Sequence, residues 1–260
     1  DLPQGPIIPV ARDSALPLSF GQQRLWFLDQ LEPGSALYNL PIALRLRGEL
    51  DVRALSDALR GLVSRHEVLR TAFVNAGGDA RQVILPEHDV PDVLVVETLG
   101  RELPGEERER LVRAMADREA AKPFDLARAP LLRARLLQLD EADNVLLLNM
   151  HHIVSDGWSL GVLVQDLSGL YAAASSGRPG ELEPLPIQYA DYAAWQRNWL
   201  RDETLERQLA YWKQQLAGLP PVLELPTDRP RPFVATNRGG TVAFGIQAAT
   251  ARRLRHLARS

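Results

Sequence analysis

The stretch from Asn144 to Tyr171 constrains the fold more than any other part of this chain. Asn144 to Met150 is a short, mostly apolar run of strand length. The segment Met150-His151-His152-Ile153-Val154-Ser155-Asp156-Gly157-Trp158-Ser159 follows it. Then Leu160, Leu163, Val164, Leu167, Leu170 and Tyr171 recur at three- and four-residue steps, which predicts a helix. Two imidazoles, a carboxylate and a glycine therefore sit where a strand hands over to a helix, beside the positive end of its dipole. Neighbouring side chains of an extended segment point to opposite faces, so one imidazole can face a cleft while the other packs inward. Asp156 could cap the helix, orient a histidine or pair with a buried arginine. A base with N–H donors at a helix start suits acyl transfer, because the base takes a proton from the attacking group and the donors stabilise the oxyanion. The plainer reading is that the histidines are core or surface residues and Asp156 is only an N-cap. A metal site would need a further ligand from His66, His88, His256 or the carboxylates, and no metal-ligand spacing is present.

The elements around this junction alternate in type. Ser19 with Gln22 fits a capping box that opens a helix through Leu31, ended by Pro33-Gly34. Leu40, Ile42, Leu44 and Leu46 alternate as a strand. Asp51 caps a helix whose Val52, Leu55, Leu59, Leu62 and Val63 form one stripe. Gly77-Gly78-Asp79 predicts the turn of a hairpin. Val93 to Glu97 is a short strand, and Pro104 to Lys122 an amphipathic helix. Leu131 to Leu139 and Val145 to Met150 form a second hairpin, whose return strand delivers the histidines. Two helical patterns follow, Tyr189 to Leu200 and Leu205 to Leu216, and their aromatics (Tyr189, Tyr192, Trp195, Trp199, Tyr211, Trp212) are expected to form a core stripe. Thr241 to Ile246 is expected as a strand and Thr250 onward as a helix. The result is an α+β chain, a mixed sheet flanked by helices.

Composition narrows the function. A net charge of -3 over 260 residues gives no basic surface for nucleic acid or anionic membrane. All but two of the 30 basic residues are arginine. The absence of cysteine excludes disulfides, thiolate catalysis and cysteine-ligated zinc. No apolar run approaches the ~20 residues needed to span a bilayer. The first residues lack the form of a signal peptide, and the cytoplasm is the expected location.

Met150 to Ser159 matches the HHxxxDG signature of the condensation domains of nonribosomal peptide synthetases. Ser19 to Leu28 resembles the first motif of that family, Arg65-His66-Glu67-Val68-Leu69-Arg70-Thr71-Ala72-Phe73 the second, and Tyr189-Ala190-Asp191-Tyr192-Ala193-Ala194-Trp195 the fourth. Pro123-Phe124-Asp125-Leu126 and Asp228 to Pro232 are also typical. The resemblance implies a chloramphenicol acetyltransferase-like lobe over residues 18–178 after a lead-in over 1–17. Residues 179–260 would form a helical connection and the start of an incomplete second lobe. It implies that the amine of one carrier-bound substrate attacks the thioester of another, forming an amide bond. His152 would face the tunnel, with His151 as its structural neighbour. Asp156 would pair with Arg65 or Arg70, and Gly157 would keep the tunnel open. Trp158 and Ser159 would complete the support. The implied partners are upstream and downstream peptidyl carrier proteins and a neighbouring adenylation domain. Substrates would arrive on 4'-phosphopantetheine arms, with no cofactor or metal bound directly. The chain alone, lacking later motifs of the second lobe, is expected to be a poorly active fragment. Rival readings are an epimerisation domain, a coenzyme A-dependent acyltransferase and a non-catalytic docking module.

Overall fold

The computed structural model describes residues 5–13, 16–99, 104–178, 180, 182–230, 233, 239–240, 242 and 244–259. Two sheets form its frame. In the larger, β2 (Asn39–Arg47), β7 (Asp143–His151), β6 (Leu132–Asp140) and β5 (Leu94–Thr98) lie in that order, antiparallel except for the β5–β6 pair. In the smaller, β1 (Leu16–Pro17), β4 (Asp79–Ile84) and β3 (Thr71–Ala76) are antiparallel. The β3–β4 turn is Gly77-Gly78, with φ of +68° and +98°, the left-handed pair that a two-residue hairpin turn requires.

β7 is central and buried along nearly its whole length. Its alternation therefore does not separate core from solvent; it separates two cores. Leu146, Leu148 and Met150 join a large cluster with Leu59 and Leu62 of α2 (Val52–Arg65) and Leu163 and Leu167 of α4 (Gly157–Ser175). Val145 and Leu147 join a smaller cluster with Leu137, Leu139 and Val112 of α3 (Gly105–Ala121). Leu59 and Leu62 are almost completely buried, and each such side chain contributes ~1.5–3 kcal/mol. α2 and α4 approach closely at Gly61, where an added Cβ would lie 3.4 Å from Leu170 Cδ2. The carbonyls left without partners at the end of α3 are capped from the sheet. Asn39 Nδ2 donates to Ala120 O at 2.7 Å, Asn149 Nδ2 to Glu119 O at 2.7 Å, and Arg133 to Lys122 O at 2.6 Å.

The helix starts follow the sequence signals. At α1 (Phe20–Leu31), Ser19 and Gln22 form the reciprocal capping box. At α2, Asp51 accepts from Ala54 N at 2.9 Å.

Several expectations need correction. Contacts divide the chain into Asp1–Ala217 and Gly218–Ser260, so the boundary expected at 178/179 falls inside the first unit. The reason is α5 (Tyr189–Trp199), which packs on β1, α1 and the 3-10 turn Glu67–Arg70. The lead-in is tied down as well: Asp191 of α5 accepts from Val10 N at 2.8 Å and from Arg12 Nη1 at 2.7 Å, while Leu16–Pro17 is a strand. The aromatics of α5 are not core. Ala190 and Ala193 are buried instead, because small residues let this helix lie close to its neighbours. Tyr189, Tyr192, Trp195 and Trp199 form a half-exposed ladder with ring centroids 5.4, 5.9 and 5.4 Å apart. Tyr211 and Trp212 of α6 (Asp202–Gln215) are each 55% exposed. Val164, placed on the apolar stripe of α4, is exposed.

In the second unit, α7 spans Ala248–Leu257. Of the strand expected over 241–246, Thr241 and Ala243 lie outside the described residues; Val242 and Phe244 to Ile246 carry no strand. Among the described residues no helix is long and apolar enough to cross a membrane.

Candidate active site

β7 ends at His151, and the chain turns immediately. His151 N donates to Leu131 O at 3.2 Å, His152 N to Tyr38 O at 2.8 Å, and Val154 N back to His151 O at 3.0 Å. The two imidazoles consequently meet opposite environments. His151 is 2% exposed, with its ring beside Tyr38 and Phe124, both at 6.3 Å between centroids. Its Nδ1 accepts from Ile153 N at 3.1 Å, so the neutral ring carries its proton on Nε2. Burial lowers its pKa to about 4, with a further push from His152. His152 is exposed and lines a cleft of about 860 Å³. Gln22 and Leu25 of α1, Trp158 of α4, and Tyr189 and Tyr192 of α5 contribute to the cleft walls.

The buried neutral His151 gives stability a defined pH dependence. The unfolded chain takes up this proton near 6.5 and the folded one only near 4. The stability it contributes is therefore present above 6.5 and is lost as pH falls from 6.5 towards 4, by about 3 kcal/mol. Denaturant titrations between pH 7 and 4 should show a steeper loss for the natural chain than for His151→Gln; equal slopes would contradict the assignment.

Among the described residues Asp156 pairs with no arginine, neither Arg65 nor Arg70. It is the N-cap of α4, and its Oδ1 accepts from Ser159 N at 2.8 Å and from Ser159 Oγ at 2.7 Å. The Ser159 hydroxyl, and then its backbone N–H, hold the carboxyl pKa below the usual range. The physical reason lies in the extended backbone at Asp156, which aims the side chain at the unpaired N–H groups of the first turn. The anion seated at this helix start is Asp156 itself. Asp156→Ala should cost ~1 kcal/mol, as loss of a cap does. A loss of several kcal/mol in thermal or denaturant unfolding would restore the ion-pair reading.

The arginines are engaged elsewhere. Arg65 Nε donates to Asp166 Oδ2 at 2.9 Å and Arg65 Nη1 to Glu183 O at 2.7 Å; His66 Nε2 lies 2.8 Å from the same Asp166 oxygen. Arg70 donates to Leu85 O and borders a separate hollow of about 470 Å³. Gly157 is not among the residues lining the cleft, and a Cβ on it would meet nothing within 4 Å. Trp158 is 85% exposed, so it is a wall of the cleft without being packed support.

Sequence reasoning missed Asp166. Its signal was available: it is the single charged residue of α4 and sits on the buried stripe between Leu163 and Leu167. It also missed the chain of contacts linking α1, α5 and the histidine turn. Tyr189 Oη lies 3.1 Å from Ser19 Oγ, Ser19 N donates to Gln22 Oε1 at 3.0 Å, and Gln22 Nε2 reaches Ile153 O at 3.5 Å. Burial raises the Tyr189 pKa, with the Ser19 hydroxyl opposing it and Tyr192 and then Asp156 adding to it. Among the described residues no group of three or more His, Asp or Glu side chains converges to hold a metal ion.

Comparison with known proteins identifies the class. The family model for the condensation domain matches residues 13–260. The chain is 51% identical over 254 residues to one of the polypeptides of the linear gramicidin synthase of Brevibacillus parabrevis, covering 98% of this chain and 3% of that polypeptide. It is 46% identical over 246 residues to the phosphinothricin tripeptide synthetase PhsC of Streptomyces viridochromogenes, 95% of this chain and 22% of that protein. Among solved structures it resembles the X-domain from teicoplanin biosynthesis, with a TM-score of 0.82, 34% identity, and coverage of 98% of this chain and 55% of that one. It also resembles the first condensation domain of the calcium-dependent antibiotic synthetase, with a TM-score of 0.69, 26% identity, and coverage of 81% of this chain and 50% of that one. This chain belongs to the condensation-domain family of nonribosomal peptide synthetases. It spans about half the length of those solved domains and a small part of the synthetases it matches.

Proposed function

We propose that this chain carries the histidine-bearing half of a condensation domain that forms an amide bond between two carrier-bound substrates. The observation that carries the reading is the exposure of His152 to a cleft while its neighbour His151 is sealed inside. In the proposed reaction the acceptor amine attacks the donor thioester carbonyl. The C–N bond forms, the C–S bond breaks, and the donor carrier regains its thiol. His152 takes or holds the proton that the amine sheds as its nitrogen becomes positive. Leu25, Trp158 and Val162 give the cleft apolar walls against which an acyl chain can lie. The substrates arrive on 4'-phosphopantetheine arms of an upstream and a downstream carrier protein, and an adenylation domain loads the acceptor. The work is done in the cytoplasm, where such loaded carriers are made.

The test is single-turnover assay of the parent synthetase with loaded donor and acceptor carriers, followed by mass spectrometry for the amide product. Chiral analysis of the product separates condensation from epimerisation. Replacement of the carriers by acyl-coenzyme A separates it from a free acyltransferase. The 260-residue chain alone should turn over far more slowly than the complete domain. A docking role has one observation in its favour: a similar solved structure is a complex of the X-domain with OxyB from teicoplanin biosynthesis. Absence of amide product with every carrier pair, together with retained binding of a protein partner, would favour that reading.

A further inference from the structure

The hydroxyl of Ser19 sets the direction of a second one. Ser19 is 1% exposed, and its Oγ meets two groups, Gln22 N at 3.1 Å and Tyr189 Oη at 3.1 Å. The Gln22 N–H can only donate, so Ser19 Oγ accepts from it, as an N-cap does. The proton of Ser19 then needs an acceptor of its own, and among the described residues the Tyr189 oxygen is the one in reach. The opposite arrangement, with Tyr189 donating, would leave a buried serine proton without a partner. Tyr189 therefore accepts from Ser19, and its own O–H is free to point elsewhere. Tyr189 is 39% exposed and lines the same cleft as His152. Its ring is held in the aromatic ladder of α5, 5.4 Å from Tyr192, and its oxygen is tied to α1. The freed proton is thus a fixed donor on the cleft wall.

We propose that Tyr189 is a substrate-contacting residue whose phenol O–H, oriented by Ser19, donates a hydrogen bond to the carbonyl oxygen of the acyl group bound beside His152. This rests on the condensation reading above. Such a bond strengthens as the carbonyl oxygen gains negative charge on attack, so it acts on turnover more than on binding.

The experiment compares the natural condensation domain in its parent synthetase with Tyr189→Phe and Ser19→Ala, using loaded carriers. Tyr189→Phe should lower kcat at least ~10-fold, with KM for the acceptor carrier changed less than about twofold. Ser19→Ala removes the same Tyr189–Ser19 bond but leaves the phenol proton, so its loss in kcat should be several-fold smaller. Equal losses in the two variants would overturn the proposal, because the shared Tyr189–Ser19 bond alone would account for them. A Tyr189→Phe kcat within twofold of the natural one would overturn it too, while leaving amide formation intact. A second measurement does not depend on turnover. With 3-fluorotyrosine at position 189, saturating S-acetyl-N-acetylcysteamine, a small thioester, should shift the ¹⁹F resonance. An unmoved resonance overturns the proposal. Failure of the natural synthetase to form any amide would instead sink the condensation reading, with the ¹⁹F result still deciding the role of the phenol.

Discussion

In the complete domain, His152→Ala is expected to lower the condensation rate constant by ~10²–10⁴-fold, the contribution typical of a positioned proton-transfer group. The same substitution should leave thermal unfolding almost unchanged. The His152 ring is exposed and makes no hydrogen bond among the described residues; its backbone N–H, which holds the turn to Tyr38 O, survives the change. His151→Ala should behave in the opposite sense. It removes a buried ring and the acceptor for Ile153 N, so it lowers the unfolding midpoint before it touches chemistry. Parallel single-turnover and calorimetric measurements on both variants check this. A His152→Ala protein that condenses at the natural rate would remove the histidine from the reaction.

The largest effect on stability is expected at Asp166. Its side chain is 12% exposed and it faces Arg65 and His66, each 17% exposed. Among the described residues Asp166→Ala leaves the Arg65 guanidinium with one acceptor, the backbone Glu183 O, and should cost ~3–5 kcal/mol. Asp166→Asn keeps a hydrogen-bond acceptor and should cost less. Replacing the pair together by well-packed apolar residues should recover most of the loss, because the desolvation penalty of both ions goes with them. Urea titrations of the three proteins give the comparison. A cost for Asp166→Ala no greater than that of Asp156→Ala would show that the Arg65–Asp166 contact contributes little.

Local chemistry was legible in the sequence. The caps at Ser19 and Asp51 and the Gly77-Gly78 turn each depend on residues within four positions of one another, and each is found. The strand–turn–helix that carries His151, His152 and Asp156 was legible for the same reason. What failed was the choice among distant partners. Asp156 had three plausible uses, as a cap, as an orienter of a histidine or in an ion pair. The geometry of its own backbone decided for the cap, while Arg65 met Asp166. The pairing of β2 with β7, separated by about a hundred residues, leaves no local trace. The aromatics of α5 share a spacing, which places them on one face; spacing cannot say whether that face or the one with Ala190 and Ala193 is buried.

Asp191 holds two things at once. Oδ1 accepts from Val10 N and Arg12 Nη1, and Oδ2 accepts from Arg12 Nη2 and from Gln188 N, which lies immediately before Tyr189. Arg12 also grips Glu67. A single carboxylate thus joins the polypeptide at Val10 and Arg12 to the backbone next to Tyr189. The segment ahead of the first strand is in this way tethered to the wall of the cleft that His152 lines.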